Sequence, residues 1–181
     1  IPEAVTALAD LAERFAIPVT QYRPRTMNLP TAHPMHLGYD PGPWIAEADV
    51  ILAVECEVPW IPRLQKPGPE CRIAHMAADP LYSDAPHRGF RADFAITGVA
   101  DISLRALFAA LDSRSPEADS RVTARRARIE KAALAQRAEW RLLLASRSLS
   151  APINSVWLSH CLDQVIDDDA VVLRESPLDL R

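Results

Sequence analysis

Five apolar residues in a row, Val50-Ile51-Leu52-Ala53-Val54, stand between two acids, Asp49 and Glu55. A run this short and rich in branched side chains reads as a strand. Its lack of polar alternation is what a strand buried on both faces of a parallel sheet requires. Arg72-Ile73-Ala74-His75-Met76-Ala77 is a second such run, stopped by Asp79-Pro80. Asp93-Phe94-Ala95-Ile96 is a weaker third, stopped by Gly98. A sheet of this kind needs helices to cover it.

The remaining periodicity supplies them. Pro2 suits the first turn of a helix, and Val5, Leu8, Leu11, Ala12 and Phe15 then mark one apolar face. Ile17-Pro18-Val19-Thr20 reads as a short strand that begins at a proline. Residues 22–43 are proline-rich and loop-like, and Trp44 to Ala48 suggests a brief helix. Asp101 is a plausible N-cap for a helix carrying Leu104, Leu107, Phe108 and Leu111 at i, i+3, i+4 and i+7. After a polar break at 113–119, Ser120 to about Ser146 contains no Gly or Pro and predicts one long helix. Its apolar stripe is thin: Val122, Ile129, Ala133, Trp140 and Leu144. A cap at Asn154 or Ser155 opens a further helix with Leu158, Cys161, Leu162 and Val165 on one side, and Ala170 to Leu173 is strand-like. The whole predicts an α/β fold with a mostly parallel sheet.

Composition narrows the function. With 49% apolar and 24% charged residues, the 181-residue chain is neither disordered nor fibrous. No apolar run approaches the ~18 residues of a membrane span, so no membrane association is expected. Sixteen prolines against five glycines leave little material for a glycine-rich phosphate cradle. Cys56, Cys71 and Cys161 are far apart, with no CxxC pair, so reduced thiols in a cytoplasmic protein are expected. The net charge of -4 hides an uneven distribution: Arg114 to Arg147 holds nine basic and four acidic residues. These surround the helical stripe without interleaved aromatics, so a solvated linker helix is expected rather than a nucleic-acid surface. The first residue is Ile and the last ones leave a strand-like run. The chain therefore reads as an internal piece of a longer polypeptide.

Several residues have two readings. His33 and His36 have HxxH spacing, but flanking prolines argue against a helix and no carboxylate or thiol completes a ligand set. Glu55, Cys56 and Glu57 lie just past a strand's carboxyl end, where ligands bind in open α/β sheets. A polar strand-to-loop transition with a small buried thiol explains them more simply. Asp79 could accept a ribose hydroxyl, and Asp-Pro is equally a turn opener. Gly98 permits a close backbone approach, or only a turn. Cys161, on an apolar helical face, reads as core.

Five segments in order resemble the middle of a thiamine diphosphate-dependent enzyme of the acetolactate synthase and 2-keto-acid decarboxylase superfamily. They are Leu8 to Val19 (LADLAERFAIPV); Asn28-Leu29-Pro30 with His33-Pro34 and Leu37-Gly38; Ala46 to Val54 (AEADVILAV); Cys71 to Pro80 (CRIAHMAADP); and Asp93 to Gly98 (DFAITG). The segment from Pro152 to Glu175 is similar to the opening helix and strand of that family's diphosphate-binding domain.

The resemblance implies a Rossmann-like central domain over 1–112 with its first strand upstream of Ile1. A linker helix over 113–150 and the start of the cofactor-binding domain over 151–181 follow. It implies a homodimer or homotetramer, and thiamine diphosphate held with Mg²⁺ by other parts of the polypeptide, since no Gly-Asp-Gly occurs here. The fragment alone is then expected to be inactive and mainly structural, with no catalytic residue of its own. In some members this domain binds FAD or another nucleotide, and the positions that would do so are Gly38, Asp79 and Gly98. The departures weigh against a flavin. The usual glycine after the AEADVILAV strand is Glu55, the first acid of the next motif is Ala77, the acid after Gly98 is Val99, and Tyr39-Asp40-Pro41 replaces a glycine-containing turn. The alternative reading is a nucleotide- or flavin-binding regulatory module without catalysis.

Overall fold

A computed structural model of the chain describes residues 2–24, 28–85, 89–114, 119–167 and 169–171. Three strands, β1 (Val50–Val54), β2 (Arg72–Ala77) and β3 (Phe94–Thr97), form a parallel sheet in the order β1-β2-β3. Val50 pairs with Arg72 and Ala74 with Phe94, so all three carboxyl ends lie along one edge. The helices are α1 (Pro2–Phe15), α2 (Gly42–Ile45), α3 (Ala100–Asp112), α4 (Ser120–Arg147) and α5 (Ser155–Asp163). The chain divides into two compact units, residues 1–131 and 132–181, with the boundary inside α4.

In the first unit the sheet is covered differently on its two faces. Leu52, Val54 and Met76 pack against Ala7, Leu11 and Phe15 of α1 and Leu104 of α3. The ring of Phe15 meets Phe108 edge-on at 5.5 Å, and Arg14 pairs with Asp112 at 2.9 Å, so α1 and α3 are joined inside and out. Burying a Leu or Phe contributes roughly 1.5–3 kcal/mol, so this layer carries much of the unit's stability. The opposite face sees no long helix among the described residues. Ile51 and Ile73 instead meet Ile45, Trp60, Cys71 and Phe90, which come from α2 and from the connections between strands. Those connections, 55–71 and 78–93, are where many of the prolines lie. Fixed φ angles let a loop lie against the sheet with little further loss of chain entropy.

The bounds of β1 and β2 match the sequence reading, but the burial of β1 does not. Only Ala53 is buried, and Val50 is 66% exposed. An apolar run marks a strand without saying whether it is central, and β1 ends the described sheet. β3 is the other edge, exposed along its length. The expected strand at 17–20 is a single parallel bridge between Val19 and His36. The brief helix comes earlier than expected, at Gly42–Ile45, because Pro43 sits in its first turn and favours initiation there. Helix α3 begins at Ala100 with Val99 at its cap and no side-chain cap bond, so Asp101 lies in the first turn instead.

In the second unit, α5 opens at Asn154, whose side chain accepts the Val156 amide at 3.0 Å, as the sequence predicts. Its apolar face is a correction. Val156 is buried, while Leu158, Cys161, Leu162 and Val165 are exposed. Cys161 is therefore not core. Of the expected strand over 170–173, Ala170 and Val171 are not in a strand, and residues 172 and 173 lie outside the described residues. The stripe of α4 holds across both units: Ile129 and Ala133 are buried, and Val122, Trp140 and Leu144 are half-buried. No helix among the described residues is long and apolar enough to cross a membrane.

Candidate functional site

The carboxyl edge of the sheet gathers Glu55, Asp79 and Gly98, each just after a strand. In a parallel pair neighbouring strands lie about 4.8 Å apart, so the three strand exits follow one another across the edge. Glu55 is exposed, and its backbone takes the left-handed conformation with φ 47°. Its amide donates to the Met76 carbonyl at 2.9 Å. The sharp turn that glycine would ease is thus present, made by a residue that carries a Cβ and a carboxylate. Cys56 follows, half-buried.

Asp79 is drawn into its own loop. Its Oδ2 accepts the Ser83 amide at 2.6 Å and the Ser83 hydroxyl at 2.8 Å. The Ser83 hydroxyl and then the Ser83 amide hold this carboxyl below the usual carboxylate range. The Tyr82 amide donates to the Asp79 carbonyl at 3.2 Å, completing a turn. The geometry serves the Asp-Pro turn. Ser83 takes one of the two carboxylate oxygens of Asp79.

At Gly98 the amide donates to the Ala77 carbonyl at 3.0 Å. An added Cβ would stand 2.4 Å from the Ser103 hydroxyl, so the close approach expected of this glycine is to the first turn of α3. Gly38 belongs elsewhere. It has φ 78° and accepts the Gln21 amide at 2.9 Å, in the small ladder that joins 19–21 to 35–38. The structure places Glu55, Asp79 and Gly98 on one edge and Gly38 in a separate ladder.

The HxxH histidines lie in that ladder's loop, not on a helix. His33 Nδ1 accepts the Met35 amide at 3.2 Å, and His36 Nδ1 accepts the Gly38 amide at 3.3 Å. Each ring thereby ties down the backbone two residues on. Burial lowers the pKa of His33, against the opposing effect of Glu13. No group of three or more metal-ligating side chains occurs among the described residues.

Other polar groups organise the site's surroundings and were not legible beforehand. Gln21 is buried; its Nε2 donates to the Leu29 carbonyl at 2.8 Å and its Oε1 accepts the Asn28 amide at 2.8 Å. Arg91 donates to the carbonyls of Pro69 and Cys71, while His75 Nε2 donates to the Arg91 carbonyl at 3.2 Å. Burial pushes the Cys71 thiol up, opposed by the Arg91 charge, so it is a poor nucleophile. Among the basic residues of α4, Arg121 pairs with Asp119, Arg128 with Glu47, and Arg125 and Arg126 with backbone carbonyls of the α1 end. A groove of about 520 Å³ opens between α1 and α3, lined by Ala7, Asp10, Glu13, Arg14, Arg105 and Phe108.

The sheet and its helices make a Rossmann-like α/β arrangement. No family model matches the chain, and no curated protein does. Among solved structures it is similar to a protein of Mycobacterium smegmatis described as a candidate thiamin diphosphate-dependent enzyme. The match has 22% identity and a TM-score of 0.48, over 59% of this chain and 22% of that one. The chain spans about a fifth of that protein's length. At this level the likeness assigns no family.

Proposed function

We propose that this chain is the central portion of a thiamine diphosphate-dependent enzyme acting on 2-keto acids by decarboxylation or carboligation, and that its own role is to support the fold. The observation that carries this reading is the order of the resembling segments. AEADVILAV, CRIAHMAADP and DFAITG supply β1, β2 and β3, three adjacent parallel strands in chain order. Residues 1–112 would be the central domain, 113–150 the linker and 151–181 the start of the cofactor-binding domain. In the intact enzyme, a homodimer or homotetramer of the cytoplasm, thiamine diphosphate held with Mg²⁺ would supply the electron-sink chemistry of the reaction. The residues present do not fit that group. The sequence holds no Gly-Asp-Gly, and the described residues form no cluster for a divalent ion. No catalytic step is assigned to this chain.

A nucleotide at the sheet edge is the alternative, with Gly38, Asp79 and Gly98 as its contacts. Two features weigh against it: Asp79 is engaged by Ser83, and Gly38 lies in a different ladder. The test of the main reading is activity. The polypeptide that contains these residues, supplied with thiamine diphosphate and Mg²⁺, should release CO₂ from a 2-keto acid. Absence of turnover across a panel of 2-keto acids would refute the reading.

A further inference from the structure

The carboxyl end of α1 is completed by another helix. Ala16 takes φ 49°, the Ile17 amide returns to the Ala12 carbonyl at 2.9 Å, and the Ala16 amide reaches the Glu13 carbonyl at 3.4 Å. This is a Schellman closure with alanine where glycine is usual. It leaves the carbonyls of Phe15 and Ala16 pointing past the helix end. Arg125 of α4 takes both, donating from Nη2 to Phe15 at 2.6 Å and from Nε to Ala16 at 2.8 Å. Arg126 donates to the Glu13 carbonyl. Two guanidinium groups thus meet the negative end of the α1 dipole, where cations are favoured. Arg128 adds an ion pair to Glu47 at 2.6 Å and lies over the Trp44 ring. Against this, the apolar anchors of Ser120–Lys131 are buried Ile129 and half-buried Val122. The attachment is mainly polar.

The chain leaving Ala16 runs straight into the ladder that holds Gly38. The Val19 amide donates to Met35, the Leu37 amide to Val19 and the Gln21 amide to Gly38, all within 2.8–2.9 Å. We propose that Arg125 and Arg126 form a latch, through which docking of the first half of α4 sets the order of residues 17–21 and 35–38. Release of the latch re-exposes the α1 carbonyls and loosens that ladder while the β2 core stays intact. The α4 segment, with few apolar anchors, is the kind of region that opens locally below the free energy of global unfolding, while Met35 and Leu37 stay buried beneath the ladder. The latch is independent of which ligand, if any, the domain binds.

Hydrogen exchange read by mass spectrometry on the 181-residue chain tests it. In the double variant Arg125→Gln, Arg126→Gln the amides of Ile17, Val19, Gln21 and Leu37 should exchange about tenfold faster, the loss expected for hydrogen bonds to a charged group. Amides of 72–77 should keep wild-type rates. Arg121→Gln, which breaks only the local pair with Asp119, should leave both regions unchanged. Wild-type exchange at 17–21 and 35–38 in the double variant overturns the latch. Equal acceleration in β2, or the same effect from Arg121→Gln, overturns it as well. If the double variant does not fold, Arg125→Lys keeps the charge, loses the two-carbonyl fork, and is read by the same criteria.

Discussion

The amide of Glu55 donates to the carbonyl of Met76 at 2.9 Å while Glu55 itself sits at φ 47°. The bond carries the β1–β2 ladder one residue past the strand, and the turn that follows forces a left-handed backbone on a residue with a side chain. That conformation costs roughly 1–2 kcal/mol for an L-residue and almost nothing for glycine. Glu55 is exposed, so trimming its side chain loses little packing. Glu55→Gly should therefore raise unfolding free energy by about 0.5–1 kcal/mol, after the extra chain entropy glycine gives the unfolded state. A urea melt with an unchanged slope and a higher midpoint is the expected result.

Gln21 should be sensitive for the opposite reason. Buried at 4% exposure, it satisfies the Leu29 carbonyl and the Asn28 amide together. Gln21→Leu fits the volume but removes these bonds, together with the longer one from the Leu29 amide at 3.4 Å. Loss of about 1–3 kcal/mol is expected, the penalty for burying polar groups without these partners. The urea midpoint measures it, and a loss under a few tenths would contradict the assignment.

Acid should weaken the join between β2 and β3. Asp93 Oδ2 accepts the Ile73 amide at 2.8 Å, and the Asp93 amide donates back to the Ile73 carbonyl at 2.8 Å. The Ile73 amide first, and the Arg91 and Arg72 charges after it, hold the Asp93 carboxyl below its ordinary value. A depressed folded pKa means that this stabilisation is fully present above the unfolded value of about 3.9 and is lost as pH falls through the folded one. The stability gap between wild type and Asp93→Asn should be constant near neutrality and close below about pH 4. Thermal melts from pH 7 to 2.5 check this.

ADP should leave the melting temperature unchanged, and the purified chain should show no flavin absorption band. A ligand that binds only the folded state raises stability by RT ln(1 + L/Kd) at free ligand concentration L, so binding shows as a shift once ADP is supplied well above its Kd. If Ser83 is what withholds Asp79, Ser83→Ala is the variant in which a nucleotide shift would first appear.

Much of the framework was legible from the residues. β1 and β2 are bounded by acids and by Asp79-Pro80, and α4 by the polar break before Ser120, so local signals alone placed their ends. What the residues could not convey was environment. Val50 to Val54 reads the same in a central strand and at an edge, and Leu158 to Val165 reads the same facing a core or facing out. The site was less legible still. Asp79 and Gly98 have short-range motives, an Asp-Pro turn and a close helix, that a linear pattern cannot separate from ligand contacts. Arg125 lies 109 residues from Ala16, and nothing in its neighbourhood announces that partner.

The central proposal is tested most directly by calorimetric titration of thiamine diphosphate with Mg²⁺. One cell holds the 181-residue chain and the other the natural polypeptide that contains it. Saturable binding by the natural polypeptide and none by the 181 residues is the predicted result. Micromolar binding by the 181 residues alone, or no binding by the natural polypeptide, would contradict it.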